Sequence, residues 1–211
     1  MNGYENVKVE DGYLKLRACK DNGTYKNGGV FSKIGFPCGT RLEVKAKLTK
    51  LVRGGFPAIW QMPMGAPEWP RGGEIDLMEW VQGTPLQIYQ TVHTYYINGA
   101  NGSAGVTNKN PDKNFDVTKD HVYAVERTEK ELIFYVDGKE TWRYGNQYLD
   151  EGKLQYPFCE YPFNIILNFS LGGELNGRMT WPGEICDEDL PGEMWVDWVR
   201  VVLLDNNKIN E

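Results

Sequence analysis

The chain has 211 residues, with 23 lysines and arginines against 29 aspartates and glutamates, for a net charge of −6 at pH 7. Hydrophobic residues make up 41% of it and aromatic residues 13%, which excludes intrinsic disorder and suits a single domain spanning 1–211. The apolar runs are far shorter than the ~20 residues that span a bilayer, and no Lys/Arg cluster offers a footprint for phosphates, so membrane insertion and nucleic-acid binding are excluded as functions.

In chain order, Tyr13 to Ala18, Leu42 to Leu48 and Leu132 to Val136 alternate apolar and polar residues and predict half-buried strands. Between such runs stand turn signals at Asp11-Gly12, Asn22-Gly23, Asn27-Gly28-Gly29, Asp137-Gly138 and Gly172-Gly173. No window carries a helical apolar stripe, and 24 Gly with 11 Pro interrupt any long helix. The expected fold is all-β, a sandwich of antiparallel sheets. Asn98 to Asn114 and Gly172 to Gly192 read as long loops at the rim of a binding surface. Cys19, Cys38, Cys159 and Cys186 form no C-x-x-C pair, and both free thiols and any of three disulfide pairings fit the pattern. The start, Met1-Asn2-Gly3-Tyr4-Glu5, has no basic or apolar leader character.

Chemistry concentrates in Gly72-Gly73-Glu74-Ile75-Asp76-Leu77-Met78-Glu79-Trp80. Strand alternation puts Glu74 and Asp76 on one face and Glu79 on the other, unless a bulge between Asp76 and Glu79 returns Glu79 to the shared face. Three neighbouring carboxylates repel, so at least one pKa rises, as a proton donor paired with a nucleophile requires. A retaining glycosidase uses such a pair about 5 to 5.5 Å apart. Five residues of straight strand span roughly 13 to 17 Å, so curvature has to close the gap.

Glu74-Ile75-Asp76-Leu77-Met78-Glu79, preceded by Trp69-Pro70-Arg71-Gly72-Gly73, resembles the signature of glycoside hydrolase family 16 in its laminarinase-like branch. Weaker blocks follow the family's order, among them Phe56 to Trp60, Thr91-Val92-His93, Phe134 to Gly138 and Val196 to Val201. The resemblance implies a β-jelly-roll sandwich with a concave glycan cleft and hydrolysis with retention. It makes Glu74 the nucleophile, Asp76 the carboxylate that orients it and Glu79 the general acid and base. Flat aromatic rings stack on sugar faces, and the candidate substrate contacts are Trp60, Trp69, Arg71, Gln90, His93 and Trp181. Trp60 fits either core or cleft, Arg71 either sugar hydroxyls or a pair with Glu68, and Trp80 can desolvate Glu79 if it shares that face.

Many family members hold a structural calcium on the convex side, and Gly39 and Asp197 match positions involved. Their N-terminal partner is not matched, so no metal or other cofactor is expected to be required, while a structural calcium ion stays compatible with the pattern. The family also implies a stretch ahead of Asn6-Val7 that this chain is expected to lack. The expected partner is a polysaccharide or glycan, and the expected protein a monomer that is secreted, periplasmic or at the cell surface. The leading substrate expectation is β-1,3- or mixed-linkage glucan. The alternative is an endo-β-galactosidase on mucin-type O-glycans or poly-lactosamine, suggested by Tyr89 to Tyr96 and Asp189 to Trp195. A non-catalytic lectin on the same sandwich is the alternative from another class.

Overall fold

The structure, a computed structural model, describes residues 4–81, 87–98, 106–109, 115–149 and 154–205. Two antiparallel sheets face each other across one apolar core. The eight-stranded sheet is built from β1 (Val7–Glu10), β2 (Tyr13–Asp21), β3 (Thr24–Lys26), β5 (Thr40–Leu48), β10 (His121–Arg127), β11 (Glu131–Val136), β12 (Lys139–Gly145) and β16 (Gly192–Leu203). Its order is β1-β2-β16-β5-β10-β11-β12, with β3 paired to β2. The six-stranded sheet contains β4 (Gly28–Phe31), β6 (Gly55–Pro63), β7 (Glu74–Glu79), β8 (Tyr89–His93), β9 (Val106–Lys109) and β13 (Phe163–Leu171), in the order β4-β13-β6-β7-β8-β9. Since β7 and its neighbours lie inside that sheet, the acids sit away from both edges. No helix among the described residues is long and apolar enough to cross a membrane.

The alternating patterns map onto β2, β5 and β11 as expected. In β5, burial alternates without a break: Leu42, Val44, Ala46 and Leu48 enter the core, while Arg41, Glu43, Lys45 and Lys47 face outward. Asp11-Gly12, Asn22-Gly23 and Asp137-Gly138 each take two successive positive φ values, the geometry that joins two twisted strands through a two-residue turn. Phe134, Phe158, Phe163 and Phe169 are fully buried between the sheets, each side chain contributing about 1.5 to 3 kcal/mol by leaving water.

Three loop or turn readings need correction. Asn27-Gly28-Gly29 is no turn, because Gly28 and Gly29 open β4; a Cβ on Gly28 would strike the Asn6 carbonyl, so glycine allows the strand to pass that backbone. Within Asn98 to Asn114, Val106–Lys109 forms β9 against β8, since strand pairing runs through the backbone and tolerates polar side chains. Residues 99–105 and 110–114 lie outside the described residues. Gly172 to Gly192 contains a short hairpin, β14 (Glu174–Leu175) with β15 (Arg178–Met179), and a 3-10 turn at Asp187–Asp189.

A disulfide joins Cys38 to Cys159, 121 positions apart, while Cys19 and Cys186 are free. Closing a loop of that length removes unfolded-state entropy worth about 4 to 5 kcal/mol in the chain-entropy description. Beside it, the buried Arg127 donates to the carbonyls of Phe158, Phe36 and Pro37. Burial among these neutral acceptors lowers its pKa to about 10.

Candidate active site

The bulge expected between Asp76 and Glu79 is present. On the β6 side Asp76 pairs with Trp60 and Met78 with Ile59, so Leu77 is the extra residue; on the β8 side the register also shifts between Asp76 and Glu79. Consequently Ile75, Leu77, Met78 and Trp80 all enter the core. Two adjacent residues, Leu77 and Met78, thus point the same way, which returns Glu79 to the outer face with Glu74 and Asp76. Gly73 delivers the chain into β7 at φ 84°, and its absent side chain leaves room for the Phe158 ring, which a Cβ would approach to 2.7 Å.

The outer face of β7 is recessed: Asp76 points away from the core yet is only 2% exposed. Glu74 accepts a hydrogen bond at 2.5 Å from the Trp69 indole N–H, and a second from the Asp76 carboxyl. Burial raises the Glu74 pKa while these two donors oppose the rise, because both favour the charged form. Asp76 is pushed well above the usual carboxylate range by burial first, then by the charges of Glu79 and Glu74. Glu79 rises to about 7, chiefly through burial and further through the charge of Glu74, against a 3.1 Å hydrogen bond from the Thr91 hydroxyl. Two carboxyls of one strand are thereby set apart, one supplied with donors to its anion and the other holding its proton near neutrality.

His93 stands opposite Glu74 in the β7–β8 ladder, with Nε2 3.5 Å from Asp76 Oδ2 and its ring 5.7 Å from that of Trp69. Burial lowers its pKa, so it is neutral at pH 7. One donor atom each from Glu74, Asp76 and His93 lie within 4.8 Å of one another. That spacing also suits a cation.

Trp69 is 40% exposed at the Glu74 end of the recess, and Trp181, 53% exposed, stands edge-on to Phe56 and Tyr89 at the Glu79 end. Trp60 resolves to the recess rather than the core: it is half-buried in register with Asp76, and its indole N–H donates to Asn168 Oδ1 at 2.7 Å. Arg71 lies 4.0 Å over the Tyr95 ring; its link to Glu68 is a backbone N–H to carbonyl bond.

Gln90 is not in the recess. It is fully buried on the opposite face of β8, where its Oε1 accepts from the Thr141 hydroxyl of the other sheet at 2.7 Å; Tyr89, Thr91 and His93 face outward instead, by the period of two. Trp80 likewise belongs to the core and does not share the face of Glu79. Thr91 and Asn168 were not singled out in the sequence. The alternation through His93 is a usable signal for Thr91, but Asn168 meets Trp60 only through the β6–β13 pairing, which no local pattern encodes.

Gly39 and Asp197 do not fit a shared calcium ion. Asp197 Oδ2 is 2.8 Å from Lys45 Nζ, an ammonium that opposes a second cation. The Gly39 carbonyl accepts from the Leu204 N–H, beyond the far end of β16, six residues along β5 from Lys45 or roughly 20 Å at strand rise.

The family model described as Glycosyl hydrolases family 16 matches residues 1–200. The chain belongs to glycoside hydrolase family 16. It is 35% identical over 169 residues to a β-glucanase of Rhodothermus marinus, covering 76% of this chain and 56% of that protein. It is 36% identical over 185 residues to a keratan-sulfate endo-1,4-β-galactosidase of Sphingobacterium multivorum, covering 85% of this chain and 40% of that one. The chain thus spans about half the length of these relatives. A solved structure from work on endo-acting O-glycanases, expressed by prominent human gut microbes to initiate mucin breakdown, superposes with a TM-score of 0.94 at 90% identity, covering 97% of this chain and 85% of that one. The Rhodothermus marinus laminarinase superposes at 0.80 with 30% identity, covering 94% and 80%. The family 16 jelly roll expected from the acidic motif is therefore the fold of this chain.

Proposed function

We propose that this domain is a retaining endo-β-glycosidase that cuts galactosidic linkages inside mucin-type O-glycans. The observation that carries the hydrolase reading is the pair of unlike carboxyls on one face of β7, a Glu74 served by two donors and a Glu79 with a pKa near 7. Glu74 attacks the anomeric carbon as the bond to the leaving oxygen breaks, and the Glu79 proton moves to that oxygen. Glu79, now a carboxylate, takes a proton from water; the water oxygen bonds to the anomeric carbon, and Glu74 leaves as a carboxylate. Asp76 and Trp69 hold Glu74 in line for attack. The 90% identity to a structure from work on mucin O-glycanases supports the substrate class, as does the galactosidase relative. β-1,3- or mixed-linkage glucan is the second reading, favoured by the β-glucanase and laminarinase relatives from Rhodothermus marinus. The Cys38–Cys159 disulfide supports an oxidising location outside the cytoplasm.

The test is product mass spectrometry and anomeric NMR on mucin O-glycans, poly-lactosamine, laminarin and mixed-linkage glucan. Oligosaccharides from the first two, released as the β-anomer, are expected. Glu74→Gln is expected to lose at least about three orders of magnitude in kcat while still binding glycan. Cleavage of laminarin alone moves the assignment to the glucan reading, and binding without cleavage by the unaltered protein makes it a lectin.

A further inference from the structure

The strand registers define rows of side chains running across the outer face of the six-stranded sheet. One row passes from Thr91 on β8 to Asp76 on β7, Trp60 on β6, Ile166 on β13 and Phe31 on β4. Paired residues of an antiparallel ladder share a face, so Phe31 lies on the same face as the carboxylates. Its neighbour Val30 confirms the orientation by packing against the core, while Phe31 is 69% exposed. Trp60 and Ile166 are both half-buried, which makes Trp60-Ile166-Phe31 a continuous apolar strip from the acids to β4. The adjoining row towards Glu79 is low, with Ala58, Asn168 and Gly29 in register. Trp69 closes the Glu74 end of the recess, and Trp181 with Phe56 and Tyr89 closes the other, so the open direction runs across the strands along these two rows.

We propose that the glycan chain runs from the carboxylates across β6 and β13 to β4, and that Phe31 is the outermost ring-stacking residue of that arm. The inference rests on this face being a glycan cleft. Three strand spacings put Phe31 about 14 Å from the β7 row, beyond the reach of a ring attached directly to the bond being cut. Phe31 thus selects chain length: short glycans never touch it, and long ones gain one stacked ring. A strand edge is ordinarily guarded by charge, and β4, Gly28-Gly29-Val30-Phe31, carries none.

The experiment is titration calorimetry in a Glu74→Gln background, which prevents hydrolysis, using ladders of increasing length from poly-lactosamine and from laminarin. Adding Phe31→Ala is expected to weaken binding of the long members about fivefold to tenfold, the loss of one stacking contact, and to leave the shortest binder unchanged. Phe31→Trp restores the long-chain gain, and Val9→Ala, an exposed apolar control on the other sheet, changes nothing. Equal affinities with and without Phe31 at every length, or an equal loss at every length, overturn the inference and leave the glycosidase reading standing. Failure of every oligosaccharide to bind in the Glu74→Gln background overturns both.

Discussion

On the outer face of the eight-stranded sheet, Arg41 donates to Glu43 at 2.9 Å and Glu126 at 3.0 Å and lies 4.3 Å over the Tyr135 ring, whose hydroxyl donates to Glu126. On the outer face of the six-stranded sheet, Asp76 meets two further carboxyls of its own strand and the neutral His93, and all three acids are pushed upward. Both faces carry acids in close array, but only the first sets an arginine between Glu43 and Glu126, while the second gathers its acids on one bulged strand with no cation among them in the described residues. The difference separates a surface that stabilises the fold from one that holds ionisable groups ready for proton transfer at the expense of stability.

Opposite responses to removing a charge break or sharpen that contrast. The largest effect is expected from Glu79→Gln. An acid whose folded pKa is raised from about 4.5 to about 7 keeps its proton in the folded state, so its burial costs nothing below pH 4.5. The cost appears as pH rises through that interval and is complete above pH 7. Denaturant unfolding at pH 8 should show Glu79→Gln more stable by on the order of 3 kcal/mol, with little difference at pH 4. A destabilised variant at pH 8 breaks the contrast. Arg41→Met should do the reverse, losing about 2 kcal/mol by leaving Glu43 and Glu126 without their shared partner.

Trp69→Phe removes a donor that favours ionised Glu74, so the Glu74 pKa rises further and the acid limb of kcat/KM moves to higher pH, with a loss of about tenfold on the acid side. The basic limb, set by Glu79 near 7, should stay in place. A shift of both limbs means that Trp69 acts on the whole recess rather than on Glu74. The smallest effect belongs to Arg200→Ala, whose 3.5 Å pair with Glu43 leaves the arginine 60% exposed; thermal unfolding should move by the equivalent of less than about 0.5 kcal/mol.

How much of this was legible in sequence depends on the range of the interaction. The two-residue turns at Asp11-Gly12 and Asp137-Gly138 and the alternation of β5 were legible because each rests on the preferences of adjacent residues. The acidic motif with its bulge was legible through the family signature, and the run Leu77-Met78 carries its physical reason, two successive apolar side chains that both need the core. Gln90 was misplaced although its parity was readable: the period of two that puts His93 on the face of Glu74 puts Gln90 on the other.

Strands β4 and β9 were hidden by glycine and polar residues, because a strand that is short or at an edge is held by pairing more than by propensity. The sequence by itself determined an all-β chain, its tight turns and three carboxyls on one bulged strand, since these follow from neighbours within a few residues. Only the tertiary structure decided that Cys38 joins Cys159, that Trp60 meets Asn168 and that Phe31 shares a row with Asp76. Those pairings depend on which strands lie side by side, and strand order is set by the packing of the whole core.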